Sequence, residues 1–336
     1  MCAMATRWGI CATGRICNDF AVAIKTLPAE DHQIVAVAAS ELSQAEEFAK
    51  KHDIPKAYDS FTDMAKDPNI DVVYIGIVTA KHHEFGLLFL RAGKNVLCEK
   101  PLAMNVKEVK ELISASREND VFLMEAFWTR FFPAMYQLRQ LLAEKAIGDI
   151  KGLNLEIGMK MDHVHSPSIK EIGGGALLDL GCYCVQLACM VFTGERPEVK
   201  ATSILTEQGV DEVTAIILKF PSNRLATITC STATQLPNRA VIFGTKGTIV
   251  IPTFVWCPTS LIVNGHEIEY PLPPPSRPLN YNKSTGLRYE AEEVRQCLLK
   301  GMKESPIMPL ADSELVMSIL CEIRRQCGVA FPQDAT

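Results

Sequence analysis

The stretch RWGICATGRIC, residues 7–17, decides the fold. RWGICA (7–12) reads as a strand, and from Gly14 onward Ile16, Phe20, Ile24 and Leu27 recur at helical spacing. Strand, tight turn and helix in direct succession form the local pattern of a dinucleotide-binding unit. There a G-x-G-x-x-G turn lets the backbone approach a pyrophosphate, and the helix N-terminus supplies amide donors and a positive dipole end. The three glycine positions here hold Ala12, Gly14 and Cys17, so only the middle one is kept. Ala12, Gly14, Arg15 and Ile16 are the candidate cofactor contacts of this turn. The competing reading is a βα turn that binds nothing.

Outward from the turn, apolar runs and amphipathic segments alternate as far as residue 127. QIVAVAA (33–39), VVYIGIV (72–78), NVLCE (95–99) and VFLMEAF (121–127) read as strands, their continuous apolar character suiting a parallel sheet covered on both faces. Ser43-Gln-Ala-Glu46 reads as a capping box opening the second helix. Repeated βαβ units of this kind imply a doubly wound parallel sheet, a Rossmann-type α/β domain spanning 1–127. At the end of the second strand an acidic residue would favour NAD, and its absence beside an arginine would favour NADP. The residues there are Ser40 and Glu41, which leave that choice open.

From about residue 149 the pattern changes to strands separated by turn signals: IKGLNLEIGMKM, VDEVTAIILKF, LATITCSTAT, RAVIFGT and GTIVI. PSNR (221–224), LPN (236–238) and TKG (245–247) read as hairpin connections. Helices are expected near 176–192, 285–302 and 312–327, the last two after the proline-rich YPLPPPSRP. Residues 128–336 are thus expected to form a second, α+β domain built on a largely antiparallel open sheet.

Composition narrows the function classes. The chain has 336 residues, 48% hydrophobic and 22% charged, with a net charge of −5, which argues against nucleic-acid binding. No run of about 18 uncharged apolar residues suggests a membrane span. The first strand begins too early to leave room for a signal peptide, and FPQDAT carries no targeting tripeptide. Twelve cysteines lie scattered, mostly in apolar runs, as small buried hydrophobes would in a reducing cytosol. A cytoplasmic location follows as the expectation.

WGICATGRI, IVTAKHHEFGLLFLRAGKNVLCEKPLAMN and GGGALLDLGCYCVQ together resemble the glucose–fructose oxidoreductase and inositol dehydrogenase family. HDIPKAY, FWTRFFPA, KGMKESP and the terminal FPQD are similar to its dihydrodiol dehydrogenase branch. The resemblance spans essentially the whole chain. It implies a nicotinamide cofactor, a dinucleotide domain followed by an open-sheet domain with the active site between them, and a homodimer. It also implies that Glu99-Lys100-Pro101 serves the nicotinamide side with Lys100 as a catalytic group. Asp179 and the residue four beyond it, Tyr183, complete the site; many members have histidine at the latter place, and tyrosine marks the dihydrodiol branch. That branch carries arginines where this chain has Ser40 and Gln44, so NADP is the expected cofactor with NAD a live possibility.

The side chains suit an alcohol oxidation. Strand ends at the carboxyl edge of such a sheet face the ligand crevice, where Glu99 can accept from ribose hydroxyls and Lys100 can reach a substrate oxygen. Asp179 and Tyr183, four apart in a helical stretch, would share one face. Tyr183 is the expected general acid/base: tyrosine ordinarily ionises near pH ~10, and a neighbouring Lys100 and a nicotinamide cation would each lower that. Asp179 would orient Lys100 or bind a second hydroxyl. Trans-dihydrodiols would give catechols, and D-xylose or another aldopyranose its lactone. Thr79 and His82 are further cofactor candidates, with helix capping as the alternative, and Trp128 and Arg130 are substrate-side candidates against simple core packing. His163 and His165 are spaced like strand neighbours on one face, but no third ligand is evident and no metal is expected. The competing functions are an NAD-dependent sugar or polyol dehydrogenase and a non-catalytic dinucleotide-binding redox sensor.

Overall fold

The computed structural model describes residues 4–166, 169–193 and 195–335. The chain packs into two compact units. The first comprises 1–103, 107–131 and 272–310, and the second 104–106, 132–271 and 311–336. Packing thus departs from the expected ranges 1–127 and 128–336, because residues 272–310 belong with the first unit.

The first unit is built on a six-stranded sheet: β1 (Thr6–Cys11), β2 (His32–Ala38), β3 (Lys56–Tyr58), β4 (Val72–Ile75), β5 (Asn95–Glu99) and β6 (Leu123–Ala126). The strand order is β3-β2-β1-β4-β5-β6, and every pairing is parallel. The order reverses between β1 and β4, the switch point outside which such sheets bind ligands. Helices α1 (Arg15–Ile24), α2 (Leu42–His52), α3 (Phe61–Ala65), α4 (His82–Arg91) and α5 (Val106–Glu118) follow the strands. The capping box at Ser43 is not formed: α2 begins at Leu42 after Glu41, with no side-chain cap, so Ser43 lies inside the first turn.

The buried layer over β1 and β4 is aromatic. Phe20 stacks on Tyr74 with ring centroids 3.8 Å apart, and Trp8 meets Phe20 edge-on at 5.2 Å. Trp8 Nε1 donates to His32 Nδ1 at 3.2 Å, so His32 carries its proton on Nε2 and donates to Glu292 at 2.9 Å. Arg295 reaches Asp31 at 2.6 Å, Met4 O at 2.9 Å and Thr6 Oγ1 at 3.1 Å. Both partners come from a helix, Leu287–Leu299, in the returning segment. It packs on α1 and on the 3-10 turn at 128–131.

The second unit holds an eight-stranded sheet: β7 (Ile150–Gly158), β8 (Glu198–Leu205), β9 (Asp211–Phe220), β10 (Arg224–Ser231), β11 (Arg239–Gly244), β12 (Gly247–Ile251), β13 (Ser260–Val263) and β14 (His266–Glu269). Its order is β14-β13-β12-β11-β7-β10-β9-β8, antiparallel throughout except for the β7–β10 pair. PSNR and TKG do close hairpins. LPN does not, because β7 lies between β10 and β11, so residues 236–238 are a crossover. Asn238 holds that crossover: its side chain accepts from Gly158 N at 2.7 Å and donates to Gly158 O at 3.0 Å. The helices of this unit are α6 (Pro133–Ala143), α7 (Ile169–Ile172), α8 (Cys182–Val191) and α10 (Leu310–Cys327), with α9 the Leu287–Leu299 helix of the first unit.

The stretch 169–191 is apolar enough by composition to suggest a membrane span, yet 94% of its most apolar window is buried inside the structure. The eleven described cysteines are free thiols, and all but Cys321 and Cys327 are buried. Residues 162–165 form a 3-10 turn rather than a strand, which removes the same-face argument for His163 and His165. The two rings pair with different carboxylates, His163 with Asp179 and His165 with Glu212, each at 3.3 Å.

Candidate active site

The turn after β1 explains its own departure from a three-glycine pattern. Ala12 adopts φ 86°, a left-handed conformation ordinarily left to glycine, and costs about 1 kcal/mol to hold there. Cys17 occupies the slot that a third glycine would leave open. Space for it comes from Gly76 at the end of β4, where a Cβ would lie 2.6 Å from Cys17 Sγ. The thiol donates to Gly76 O at 3.3 Å, and burial pushes its pKa far above the ordinary thiol value. Helix α1 starts after Gly14 with no side-chain cap and no acid in its first turn, so its leading amides are uncovered by side chains. A Cβ on Gly14 would meet only Gly76 O, at 3.8 Å, and Arg15 is exposed beside it. Ser40, Glu41 and Gln44 are also exposed, where β2 gives way to α2. These residues fit a dinucleotide at this crevice.

The end of β5 supplies the second feature. Glu99 is not a surface charge: it is 7% exposed, accepts from Tyr74 Oη at 2.6 Å and from Lys100 N at 3.3 Å, and burial raises its pKa. Lys100 is half-buried and heads a turn that runs through a cis peptide to Pro101. His82 braces that turn. Its Nδ1 lies 2.8 Å from Pro101 O and its Nε2 3.0 Å from Ile77 O, tying the turn after β5 to the loop after β4. Burial, aided by the charge of Lys100, lowers the His82 pKa. Thr79 opens the 3-10 turn just before it. Trp128 and Arg130, in the turn after β6, are 4% and 1% exposed, and Arg130 Nη1 donates to Ile307 O at 3.0 Å.

Sequence reading missed a clasp in this unit. Asp19, fully buried on α1, accepts from Asn280 N and Nδ2, Tyr281 N and Ser284 Oγ at 2.6–3.0 Å. The segment after the prolines is thereby held against the start of α1. Tyr281, held there by its backbone N–H, is 45% exposed. The network continues inward: Asn18 donates to Asp19 at 3.0 Å, and His52 Nε2 donates to Asn18 Oδ1 at 3.1 Å. His52 Nδ1 is buried with no partner, and burial lowers the His52 pKa to about 4. A folded-state pKa below the unfolded value of about 6.5 gives stability that is full above that pH and lost as pH falls toward 4. By linkage the loss is up to about 3 kcal/mol. His52→Gln should therefore flatten the acid limb of urea-unfolding stability, and an unchanged slope would remove His52 from that role.

In the second unit the glycine-rich stretch 173–175 leads into a π turn, Leu177–Gly181, and then α8. The π turn replaces the α-helical spacing assumed for Asp179 and Tyr183; such turns recur at functional sites. Asp211, 2% exposed, anchors it by accepting from Leu177 N at 2.6 Å and Thr214 Oγ1 at 3.0 Å. Gly175 is required there: its φ is 143°, and a Cβ would sit 2.6 Å from Asp211 Oδ1. Asp179 accepts from Gly175 N at 3.1 Å and faces His163 Nε2 at 3.3 Å. Tyr183 is 9% exposed.

A doubly wound sheet with an uncapped glycine turn at its switch point, joined in one chain to a largely antiparallel sheet, fits a dinucleotide-binding protein with a second sheet domain. Residues 6–127 match the oxidoreductase family with an NAD-binding Rossmann fold, and residues 135–250 match the GFO/IDH/MocA C-terminal domain. The chain belongs to the GFO/IDH/MocA oxidoreductase family. It is 55% identical over 333 residues to trans-1,2-dihydrobenzene-1,2-diol dehydrogenase of Danio rerio, covering 99% of this chain and 100% of that one. Its human counterpart is 48% identical over 332 residues, covering 98% and 99%. Among solved structures, a levoglucosan dehydrogenase in complex with NADH and levoglucosan superposes with a TM-score of 0.84 at 21% identity, covering 97% of this chain and 98% of that one. That last likeness is one of fold.

Proposed function

We propose that this protein oxidises secondary alcohols and lactols with a nicotinamide cofactor, taking trans-dihydrodiols of aromatic rings to catechols and aldopyranoses such as D-xylose to lactones. The observation that carries this reading is whole-length identity of 55% to a protein named as a dihydrodiol dehydrogenase, together with Lys100, Asp179 and Tyr183 in place. The bound dinucleotide supplies the hydride acceptor for the carbinol carbon. Tyr183 takes the hydroxyl proton, and Lys100 holds the substrate oxygen and favours the ionised tyrosine by its charge. Asp179, its carboxylate set by Gly175 N and His163, binds a second ring hydroxyl or orients Lys100. Ala12, Gly14, Arg15 and Ile16 receive the pyrophosphate, Thr79, His82 and Glu99 the nicotinamide side, and Trp128 and Arg130 back the substrate side from the core. Aromatisation of the ketone formed from a dihydrodiol drives that sequence forward.

NADP is the proposed cofactor, with Ser40 and Gln44 meeting the 2′-phosphate. A second reading, an NAD-dependent sugar or polyol dehydrogenase, is favoured by the same two residues, since neither supplies an arginine. The partner is proposed to be a second copy: Ile204, Ile217 and Leu225 are exposed and share one face of β8–β10 by register. Free thiols in every described cysteine support a reducing, cytosolic setting.

Initial rates with trans-dihydrobenzenediol and with D-xylose, each with NADP⁺ and NAD⁺, test the function. Turnover is expected with NADP⁺, and Ser40→Arg should lower the KM for NADP⁺ by about tenfold through one added phosphate contact. Turnover with NAD⁺ alone would move the cofactor assignment and keep the chemistry. Cofactor binding without turnover of any diol or sugar would sink the enzyme reading and bring forward a redox sensor.

A further inference from the structure

Two histidines, His163 and His165, flank the fully buried Val164 in the 3-10 turn Asp162–His165 of the second unit. The turn is held without their rings. Met161 N donates to Thr232 O at 2.8 Å, Ser166 N donates to His163 O at 2.9 Å, and Val164 anchors the turn in the core. The two side chains are 48% and 58% exposed, and ion pairs so open to water add little to stability. The fold alone does not account for them.

The partner of His163 is what sets it apart. Its Nε2 lies 3.3 Å from Asp179 Oδ2, the same oxygen that accepts from Gly175 N at 3.1 Å. A carboxylate only accepts, so Nε2 carries hydrogen whether the ring is neutral or charged. The last torsion of an aspartate is broad, and a single backbone hydrogen bond does not hold the plane of the carboxylate. A second donor on the same oxygen, from a separate element, does. His165 pairs with Glu212 at 3.3 Å, next to Asp211, whose carboxylate accepts from Leu177 N and anchors the π turn. The turn that carries His163 is therefore tied to the π turn of Asp179 and to the start of β9, which fixes that π turn.

We propose that His163 is a positioning residue that makes the site selective for a hydroxyl adjacent to the carbon being oxidised. Held in one plane by His163 and Gly175 N, Asp179 accepts from that neighbouring hydroxyl. An ether, a ketone or a bare methylene there offers it no donor. A fixed plane matters for a hydroxyl, whose hydrogen bond is directional, and little for a lysine ammonium, a compact charge with three rotatable donors. The inference rests on the alcohol dehydrogenase reading above, and it commits Asp179 to the substrate hydroxyl rather than to orienting Lys100. Trans-dihydrodiols and aldopyranoses both carry such a hydroxyl.

Initial rates of the full-length protein on D-xylose and on 2-deoxy-D-xylose, which lacks the hydroxyl next to the anomeric carbon, provide the test. His163→Leu should raise KM for D-xylose about tenfold, the worth of one oriented hydrogen bond, with kcat within about threefold. KM for the 2-deoxy sugar should stay within about twofold of the wild-type value. If that sugar is bound but not oxidised, its inhibition constant against D-xylose gives the same comparison. His163→Gln, whose Nε2 can donate to the same oxygen, should restore the wild-type KM. If His163→Leu does not fold, His163→Asn, with an amide too short to reach Oδ2, takes its place with the same expected outcome. An equal rise for both sugars, no rise for either, or failure of His163→Gln to restore KM would overturn the proposal. A fall in kcat with KM unchanged would also overturn it and give Asp179 to Lys100. No oxidation of D-xylose or trans-dihydrobenzenediol by the wild type would overturn the enzyme reading and this inference together.

Discussion

Tyr183→Phe should lower kcat for both diol and sugar oxidation by about 10²–10⁴, the usual worth of a positioned acid/base. The dissociation constant for the cofactor should stay within about threefold, because the turn at 12–17 and the end of β2 are untouched. Lys100→Met should cost as much in kcat and should also shift the alkaline limb of the rate profile, since it removes the cation proposed to favour the ionised tyrosine. The double variant is expected to be little worse than either single one, because both groups are proposed to act on the same oxygen. Single-turnover kinetics and a pH profile check all three. Retention of more than about a tenth of the wild-type kcat by Tyr183→Phe would remove Tyr183 as acid/base and leave its family position without a chemical role.

The second large effect concerns stability. Asp19→Ala would strand Asn280 N and Tyr281 N and take an acceptor from Asn280 Nδ2, Asn18 Nδ2 and Ser284 Oγ, five donors now served by one fully buried carboxylate. Losing a charged acceptor while its partners remain is expected to cost about 3–4 kcal/mol in urea unfolding. Asp19→Asn keeps one acceptor oxygen and turns an NH₂ toward the same donors, so an intermediate loss is expected. Amide exchange should speed up first at 280–284. A loss below about 1 kcal/mol for Asp19→Ala would mean that water replaces the carboxylate and that the clasp is not structural.

The legibility of this chain follows the reach of each interaction. The β1–turn–α1 unit and the Glu99-Lys100-Pro101 turn are local, so apolar runs and turn residues suffice to find them. Even the slot for Cys17 had a signal, Gly76 within VVYIGIV, although nothing in the spacing says that these two residues meet. Asp19, Asp211 and Tyr74 gain their meaning from partners far along the chain. As letters they are indistinguishable from surface acids and a core aromatic. Strands β8 and β14 escaped notice because one side or all of each is exposed, and β13 because SLIV is only four residues long. LPN looked like a hairpin because sequence neighbours usually pair, whereas here a parallel β7 intervenes. The π turn has no compositional signature; it is set by Asp211 and the glycines that let it approach.

The return of residues 272–310 to the first unit governs the order in which the molecule can be made. A ribosome releases β1 to β6 early, but the partners of Asp19, His32 and Asp31 emerge only after some 140 further residues, 132–271, have been synthesised. During that interval α1 and the turn at 128–131 lack α9, the helix that packs on them. A shortened gene ending near residue 131 would therefore encode an incomplete body, with its carboxylates unpaired and apolar surface exposed. The first unit is thus completed only by late-made residues, and 1–131 is not a portable part.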